Sequence, residues 1–280
     1  MRVLCVQQKP EFGLKEKNMD MISTLLEQQA TDVDVIVLPK FFTTGFPNDG
    51  KELLDWAEPV SGPTGDRLSE WADTYNAYIV GGTLMEKDGT NFYETCPVFG
   101  RDGGLLGTYR RMHIGTHHQK LGMSDGVPDD MPVFTTDKGK IGILTAYDAL
   151  FPEVPRVLAL KGAEVLFWLG SVDYQKVNVY DAMLKSAAFA NEVYVVASNE
   201  AGSDNIDKYT FYGESRIINP AGEIVRSAGS SSFKSEDYQD RMLIENLNLN
   251  VLRKKRNEPK SLWKQRRPEV YSLIAEQQQP

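Results

Sequence analysis

Apolar positions recur with the spacing of strands or of helices along the first half of the chain. Between residues 16 and 29 apolar side chains fall three or four positions apart, which predicts an amphipathic helix. Shorter apolar runs bounded by Pro, Gly, Asn or Asp predict strands. The pattern predicts strands at 1–7, 34–38 and 78–81, a second helix at 65–76, and hairpins at 91–100 with 105–111 and at 132–136 with 140–145.

The second half of the chain repeats this alternation. A helix is predicted at 153–161, where Gly162 acts as the stop signal, and residues 165–169 form the continuous apolar run of a strand covered on both faces. A helix at 177–191 and strands at 193–198 and 215–219 complete the pattern. Strand–helix alternation indicates an α/β layered fold, and the hairpins favour two mixed sheets.

Composition narrows the class of protein. The chain has 280 residues, 41% of them hydrophobic, and 31 Lys and Arg against 39 Asp and Glu give a net charge of −8. An acidic chain has no general attraction to nucleic acid or to anionic membranes, so we expect neither partner. The basic run at 253–256 is interpreted as a solvated face or a contact with a partner subunit.

The composition of individual segments predicts the domain boundaries and the cellular compartment of the protein. No linker rich in Pro, Gly or Ser interrupts the chain, which predicts one domain over 1–250 and a polar C-terminal tail over 251–280. No stretch approaches the roughly 20 apolar residues of a membrane helix. The first residues enter a strand-like run directly, unlike a signal peptide, and we expect a cytoplasmic protein.

Cysteine and histidine give no sign of a metal or disulfide framework. Cys5 and Cys96 are too few for either and lie in apolar strand-like runs, so both are expected in the core. His117 and His118 are adjacent and would point to opposite faces of a strand, and His113 lacks further ligands at metal-binding spacing. All three histidines are interpreted as structural. No Gly-rich phosphate loop is present, and no cofactor is expected.

Four segments carry the candidate chemistry. They are Val37–Phe46 (VLPKFFTTGF), Tyr109–His113 (YRRMH), Gly142–Glu153 (GILTAYDALFPE) and Gly213–Ile224 (GESRIINPAGEI). In this order the segments resemble the nitrilase superfamily of carbon–nitrogen hydrolases, and the similarity runs from the first strand to about residue 226. The Phe-Thr-Thr-Gly-Phe run and the Gly-Ser-Asp segment look most like the omega-amidase branch.

The resemblance implies a fold, an assembly and a reaction. Members of the superfamily form a four-layer α-β-β-α sandwich and pair through their helical faces, often with the C-terminal tail in the interface. Their Cys attacks an amide or nitrile carbon, a Glu serves as general base and then acid, and a Lys stabilises the oxyanion. We therefore expect this sandwich, a homodimer or larger assembly, and the tail in the dimer interface.

The residues of this reaction are replaced at the matching positions. By resemblance, Ala146 stands for the Cys, Lys40 for the Glu, and Arg111 for the Lys, while Gln119 stands for a second Glu in a variable loop. A methyl group is no nucleophile, and a protonated Lys is no base. Leu150 also replaces a frequent Arg. So many changes are typical of natural divergence rather than of a single engineered knockout.

The replaced positions predict an unusual pocket. Lys40 and Arg111 would place two cations together, which requires a counter-charge because each loses hydration. The counter-charge is either a small bound anion or an acid, with Asp125, Asp148 and Glu214 as candidates. Alternatively, Lys40 extends to solvent from a collapsed pocket. Further pocket candidates are Phe42, Tyr147 and Ser171.

Two functions remain open at the level of sequence. The first is a pseudoenzyme with a binding, regulatory or scaffold role, which Ala146 favours. The second is an enzyme, either an amidohydrolase of omega-amidase type acting on small linear amides or a new activity in the remodelled pocket. Cys96 could be a migrated nucleophile, but a core position is the stronger interpretation. The chain has no Gly-x-Ser-x-Gly elbow of a serine hydrolase.

Overall fold

Strands and helices alternate along the residues that the computed structural model describes, which are 1–46, 50–203, 209–229 and 240–276. The strands are β1 (Arg2–Gln7), β2 (Val35–Val37), β3 (Tyr78–Val80), β4 (Leu84–Asp88), β5 (Asn91–Phe99), β6 (Leu105–Arg110), β7 (Val133–Thr135), β8 (Lys140–Thr145), β9 (Val165–Gly170), β10 (Tyr194–Asn199), β11 (Ala201–Ser203), β12 (Thr210–Tyr212), β13 (Arg216–Ile218), β14 (Ile224–Ser227) and β15 (Arg241–Asn246). The α-helices are α1 (Lys15–Gln29), α2 (Gly50–Asp55), α3 (Pro63–Tyr75), α4 (Thr116–Lys120), α5 (Glu153–Leu160), α6 (Val177–Asn191) and α7 (Leu249–Asn257).

The two large sheets are both mixed, as the sequence predicts. In the first sheet β15, β1, β2, β3, β5 and β4 lie side by side, with β6 paired to β5. In the second sheet the order is β14, β13, β10, β9, β8 and β7. Each sheet has three parallel strands at its centre, β1–β2–β3 and β8–β9–β10, with antiparallel neighbours outside them.

Alternation along β1 shows how the four layers form. Val3 and Cys5 are fully buried and belong to the core that the two sheets share. Leu4 and Val6, one position on, are buried with residues of α1 and α3 on the other face. On the far side, α5 and α6 pack on the second sheet through residues such as Leu158 and Leu184. The arrangement is the predicted α-β-β-α sandwich.

The segment after 249 differs from the predicted polar tail, because it begins with α7. Leu252, a residue of this helix, is fully buried. Arg256 donates to the carbonyl oxygens of Ala163, Asn191 and Glu192, and Arg253 pairs with Glu164. The interpretation of the basic run as a solvated face or a partner contact is therefore wrong for Arg256, which docks α7 onto its own domain, whereas Arg253 is exposed and also pairs with that domain.

Two local expectations need correction. His117 and His118 lie in the short helix α4, so the strand geometry assumed for them does not apply. Strand β15 was not predicted, yet it pairs with β1 over six residues and closes one edge of the first sheet. Among the described residues, no helix has the length and apolar character needed to cross a membrane.

Candidate functional site

The backbone turns sharply at Ala146, where β8 ends. Ala146 has a φ of +29°, a left-handed value that is strained for any residue other than glycine. The chain then enters a short 3₁₀ helix, Ala146–Leu150, and α5 follows. The indole of Trp168 donates to the Ala146 carbonyl oxygen at 3.2 Å. Such a strained turn between strand and helix is the geometry that presents a nucleophile in hydrolases, and here it presents a methyl group.

Lys40 lies just beyond β2 and is buried, with 2% of its surface exposed. Its ammonium donates to Glu94 Oε2 at 2.9 Å. The Phe41 ring centroid lies 4.4 Å from Lys40 Nζ, and that of Phe46 lies 5.5 Å away. The alternative in which Lys40 extends to solvent from a collapsed pocket is therefore wrong.

Arg111 reaches the same carboxylate from the end of β6. The guanidinium is 5% exposed, and its Nη1 donates to Glu94 Oε2 at 2.9 Å. The backbone reinforces this pairing, because Arg111 N donates to Glu94 O at 2.9 Å. Lys40 and Arg111 therefore share one oxygen of Glu94, as the prediction of two adjacent cations requires.

Glu94 is the counter-charge that the sequence analysis missed. It shares a face of β5 with Cys96, which points into the core between the sheets, so alternation along this strand was the signal that could have found it. A carboxylate at an inward position of a buried strand needs a partner, and two cationic positions had already been identified.

Of the three acids predicted as counter-charges, Asp148 acts on Arg111, whereas Asp125 and Glu214 make contacts elsewhere. Asp125 accepts from Ile114 N and from the Gln119 amide, and Glu214 pairs with Arg216. Asp148 is fully buried. Burial lowers the pKa of Arg111, whereas Glu94 and, by a smaller amount, Asp148 raise it. The hydrogen bonds to Asp148 come from Tyr109, Thr145, His113 and the backbone of Met112 and His113.

The shared carboxylate shapes the electrostatics of the site. Burial alone would raise the pKa of Glu94, but Lys40 and Arg111 hold it at about 2. Burial and the nearby Arg111 lower the pKa of Lys40, against the opposite effects of Glu94 and Glu200. Two buried atoms, Glu94 Oε1 and Arg111 Nε, have no hydrogen-bond partner among the described residues.

The remaining predicted pocket residues divide into two groups. Tyr147 lies next to the site, with its ring centroid 5.8 Å from Arg111 Cζ, and is 41% exposed. Ser171 donates to Glu200 Oε2 at 2.5 Å, and Glu200 is a second buried acid that the sequence analysis missed.

Two positions lie elsewhere than predicted. Phe42 is fully buried against Trp71 in the core beneath the helices, so its assignment to the pocket is wrong. The cause is the turn after Pro39, which directs Phe41, at a φ of +46°, toward Lys40. Gln119 is exposed, and its amide donates to Asp125.

The other candidate nucleophile and the histidine by the site have structural surroundings. Cys96 is fully buried in the core between the sheets, and burial raises the pKa of its thiol, so the reactive thiolate is disfavoured. The His113 ring stacks on Phe151 at 3.7 Å, and its Nδ1 lies 2.9 Å from Asp148 Oδ1. These contacts fix the segment after β6 against the turn that follows β8.

Comparisons with known proteins identify relatives of this chain. The sequence model of the family described as carbon-nitrogen hydrolase matches residues 2–257. The chain is 31% identical to the omega-amidase NIT2 of Danio rerio, over 98% of each protein. It is 29% identical to the omega-amidase NIT2 of Homo sapiens, over 78% of this chain and 81% of that protein.

Solved structures show the same fold. Nit3 of Saccharomyces cerevisiae, a member of branch 10 of the nitrilase superfamily, superimposes with a TM-score of 0.78 at 25% identity, over 91% of this chain and 93% of that one. A carbon-nitrogen hydrolase from Helicobacter pylori G27 reaches a TM-score of 0.87 at 21% identity, over 99% and 98% of the two chains.

Proposed function

Since the chain belongs to the carbon-nitrogen hydrolase family, we propose that it is a member that has lost amide hydrolysis and serves a binding, regulatory or scaffold role. The observation that carries this proposal is the buried group Lys40–Glu94–Arg111, which the ring of Tyr147, the neighbour of Ala146, approaches at Arg111. The family reaction needs a thiolate, a free carboxylate base and an oxyanion-stabilising cation. Here the turn holds a methyl group, and by resemblance Lys40 and Arg111 stand where the family has its Glu and its Lys.

Ammonia release tests the loss of hydrolysis. The purified chain is incubated with small linear amides and with 2-oxo acid amides, and an active omega-amidase serves as the positive control. We expect no ammonia above the rate of the uncatalysed reaction, because removal of the nucleophile alone leaves only residual catalysis from binding and oxyanion stabilisation. Turnover that scales with protein concentration would overturn the proposal in favour of an amidohydrolase.

A restored site tests whether the pocket still accepts an amide. Lys40→Glu, Arg111→Lys and Ala146→Cys return the three family residues, but they place a second carboxylate against the buried Glu94. Two buried carboxylates with one cation disfavour ionisation of both. We therefore pair this triple variant with a quadruple variant that adds Glu94→Gln. Ammonia release by the quadruple variant alone would show that Glu94 belongs to the remodelled site.

We propose that acids of the pocket itself, and not a small bound anion, supply the negative charge opposite Lys40 and Arg111. Lys40 and Arg111 face the buried acids Glu94, Asp148 and Glu200, so an additional anion would meet an excess of negative charge. Isothermal titration calorimetry with small carboxylates and with inorganic phosphate tests this. We expect no heat of binding. Saturable heat that disappears in the Arg111→Met variant would contradict this proposal and show that the pocket binds a small anion.

We also propose a cytoplasmic homodimer that pairs through α6 and the C-terminal tail. Large apolar side chains are exposed on α6 and near the C-terminus, which is unusual for a surface facing only water. A cavity of about 600 Å³ lies between α5, α6 and tail residues such as Tyr271 and Ile274.

The proposed cytoplasmic location rests on the cysteines. Both are free and buried, a state that suits a reducing compartment. Imaging of a fluorescent fusion would test this location.

A further inference from the structure

We propose that Lys40 forms a reversible imine with small neutral aldehydes, using Glu94 as proton acceptor and Arg111 as hydrogen-bond donor to the carbonyl oxygen. The inference rests on the proposed function, because it assigns a ligand chemistry to the pocket in which amide hydrolysis has been lost. It draws on the burial of Lys40, on the sharing of Glu94 between two cations, and on two atoms of the site without partners.

Lys40 has the surroundings that activate a lysine amine. A lysine becomes nucleophilic when it is removed from water or lies beside another cation, since both favour the neutral amine. Lys40 meets both conditions, because it is 2% exposed and Arg111 binds the same oxygen of Glu94. Burial and Arg111 lower the pKa of Lys40 accordingly.

The unpartnered atoms match the two groups that imine formation needs. The ammonium must lose a proton, and the buried Glu94 Oε1 is an acceptor with no partner among the described residues. The carbonyl oxygen gains negative charge as the amine attacks, and the buried Arg111 Nε is a donor likewise without a partner. Both atoms belong to side chains that already contact each other, so acceptor and donor lie in one site.

The same contacts restrict the aldehyde to small and neutral molecules. The rings of Phe41 and Phe46 lie within 5.5 Å of Lys40 Nζ, which leaves little room beside the amine. Glu94, Asp148 and Glu200 already outnumber Lys40 and Arg111, so a carboxylate-bearing carbonyl compound would meet repulsion. The methyl group of Ala146 cannot compete for the carbonyl carbon as a thiol would.

Each step balances in atoms and charge. The Lys40 ammonium gives one proton to Glu94, and the amine lone pair forms the new C–N bond while the C=O pair moves to oxygen. A proton passes from nitrogen to that oxygen to give the carbinolamine. Glu94 returns its proton to the hydroxyl group, the C–O bond breaks, and water leaves. The protonated imine keeps the single positive charge that the Lys40 ammonium carried, and water reverses the sequence.

Reductive trapping tests the inference. The full chain is incubated with propanal and sodium cyanoborohydride, digested, and analysed by peptide mass spectrometry for propylated lysines. The exposed Lys254 serves as the internal reference. A lowered pKa raises the fraction of a lysine that is free amine at neutral pH. We therefore expect Lys40 to be labelled faster than Lys254, and faster with propanal than with pyruvate.

Variants separate this chemistry from general lysine reactivity. Arg111→Met leaves Lys40 and Glu94 as a balanced pair and removes the donor, so labelling of Lys40 should fall to the level of Lys254. Arg111→Lys keeps the charge but lacks Nε, so it should also reduce the labelling of Lys40. This second variant keeps the test valid if Arg111→Met does not fold. Lys40→Arg should remove the fast phase and leave labelling of Lys254 unchanged.

The outcomes distinguish this inference from the proposed function. Labelling of Lys40 that is no faster than that of Lys254, or unchanged in both folded Arg111 variants, would overturn imine formation even if no ammonia is released. Ammonia release by the unmodified chain would overturn the loss of hydrolysis, whatever the labelling of Lys40.

Discussion

At the scale of single residues, the site depends on one carboxylate that serves two cations. Lys40 and Arg111 each contact Glu94 Oε2 at 2.9 Å. Removal of one partner from a buried ion pair leaves an unpaired charge in a medium that solvates it poorly, which costs more than the pair itself contributes. The three side chains are therefore not equivalent, because the loss of Glu94 removes the one carboxylate that contacts both cations, whereas the loss of Lys40 leaves Arg111 in contact with Glu94.

This asymmetry predicts unequal responses to two substitutions. Glu94→Gln should lower the free energy of unfolding by about 3 kcal/mol, since two buried cations lose the carboxylate that both of them contact. Lys40→Met should change it by less than about 1 kcal/mol, because Arg111 keeps Glu94. Urea unfolding followed by circular dichroism measures both, with Glu269→Gln in an exposed pair as the control. Equal effects at positions 94 and 40 would contradict the shared-carboxylate arrangement.

The pH dependence of stability should carry the signature of Glu94. Its pKa falls from an ordinary value of 4.5 to about 2 on folding, so the unfolded chain binds more protons between these values. Its contribution is therefore fully present above about pH 4.5 and is lost as pH falls toward 2. Unfolding curves from pH 6 to pH 2.5 should show a smaller loss for Glu94→Gln than for the unmodified chain. Parallel losses would exclude Glu94 as the source.

Residues near the signature motifs could be predicted from the sequence, whereas their distant partners could not. Lys40, Arg111 and Ala146 each lie within a segment that has its own local pattern. Glu94 is 54 residues from Lys40 and 17 from Arg111, and only the pairing of β5 with β6 brings it to Arg111. Glu200 reaches the site from beyond β10 in the second sheet, a contact that the local pattern does not contain.

At the scale of elements, the turn after β8 keeps a strained backbone although its side chain has no nucleophile. Ala146 has a φ of +29°, and its carbonyl is held by Trp168. Surrounding packing imposes such a conformation, because an isolated alanine avoids it at a cost of about 1–2 kcal/mol. The turn belongs to the architecture of β8 and α5 and is present with alanine at this position.

A pair of glycine substitutions tests for this strain. Ala146→Gly should raise the free energy of unfolding by about 1 kcal/mol, because glycine adopts positive φ without strain. Ala149→Gly, in the 3₁₀ helix of the same turn, should lower it by about 1 kcal/mol, since it adds backbone freedom and removes a buried methyl group. Thermal unfolding measures both, and destabilisation by both would show that the turn at Ala146 is relaxed.

The boundaries of internal elements followed the sequence pattern more closely than those of edge elements. Helix α6 spans Val177–Asn191 as predicted, because apolar spacing and flanking residues agree there. Strands β4 and β15 were missed. Several of their residues are exposed or half-buried, so alternation is weak, and β15 is recognised only through its pairing with β1.

At the scale of the whole molecule, the site contributes little to what holds the fold together. The core between the sheets is built from fully buried residues such as Val165, Phe167 and Val196, and a second core lies between the first sheet and α1 and α3. Burial of apolar surface is the main driving force for folding and does not depend on the residues at 40, 111 and 146. The residues at these three positions could therefore change while the sandwich remained.

Some large apolar side chains on α6 and near the C-terminus are not buried within the chain. Val179 and Phe189 on α6 are 54% and 52% exposed, and Leu273 and Ile274 are 65% and 63% exposed. An apolar surface of this kind gains stability when a second copy covers it. We predict a dimer by multi-angle light scattering at micromolar concentration. Leu273→Glu with Ile274→Glu should give a folded monomer, because burying two carboxylates in the interface is unfavourable.

A matched substitution away from this face completes the test. Val127 is 57% exposed and lies in the segment before β7. Val127→Glu adds a comparable charge at a comparable exposure but should leave the dimer intact. If light scattering shows that the unmodified chain is a monomer, the predicted dimer is contradicted. Dissociation caused equally by Val127→Glu would place the interface elsewhere, whereas dissociation by the tail variant alone would assign it to α6 and the C-terminal residues that lie beside it.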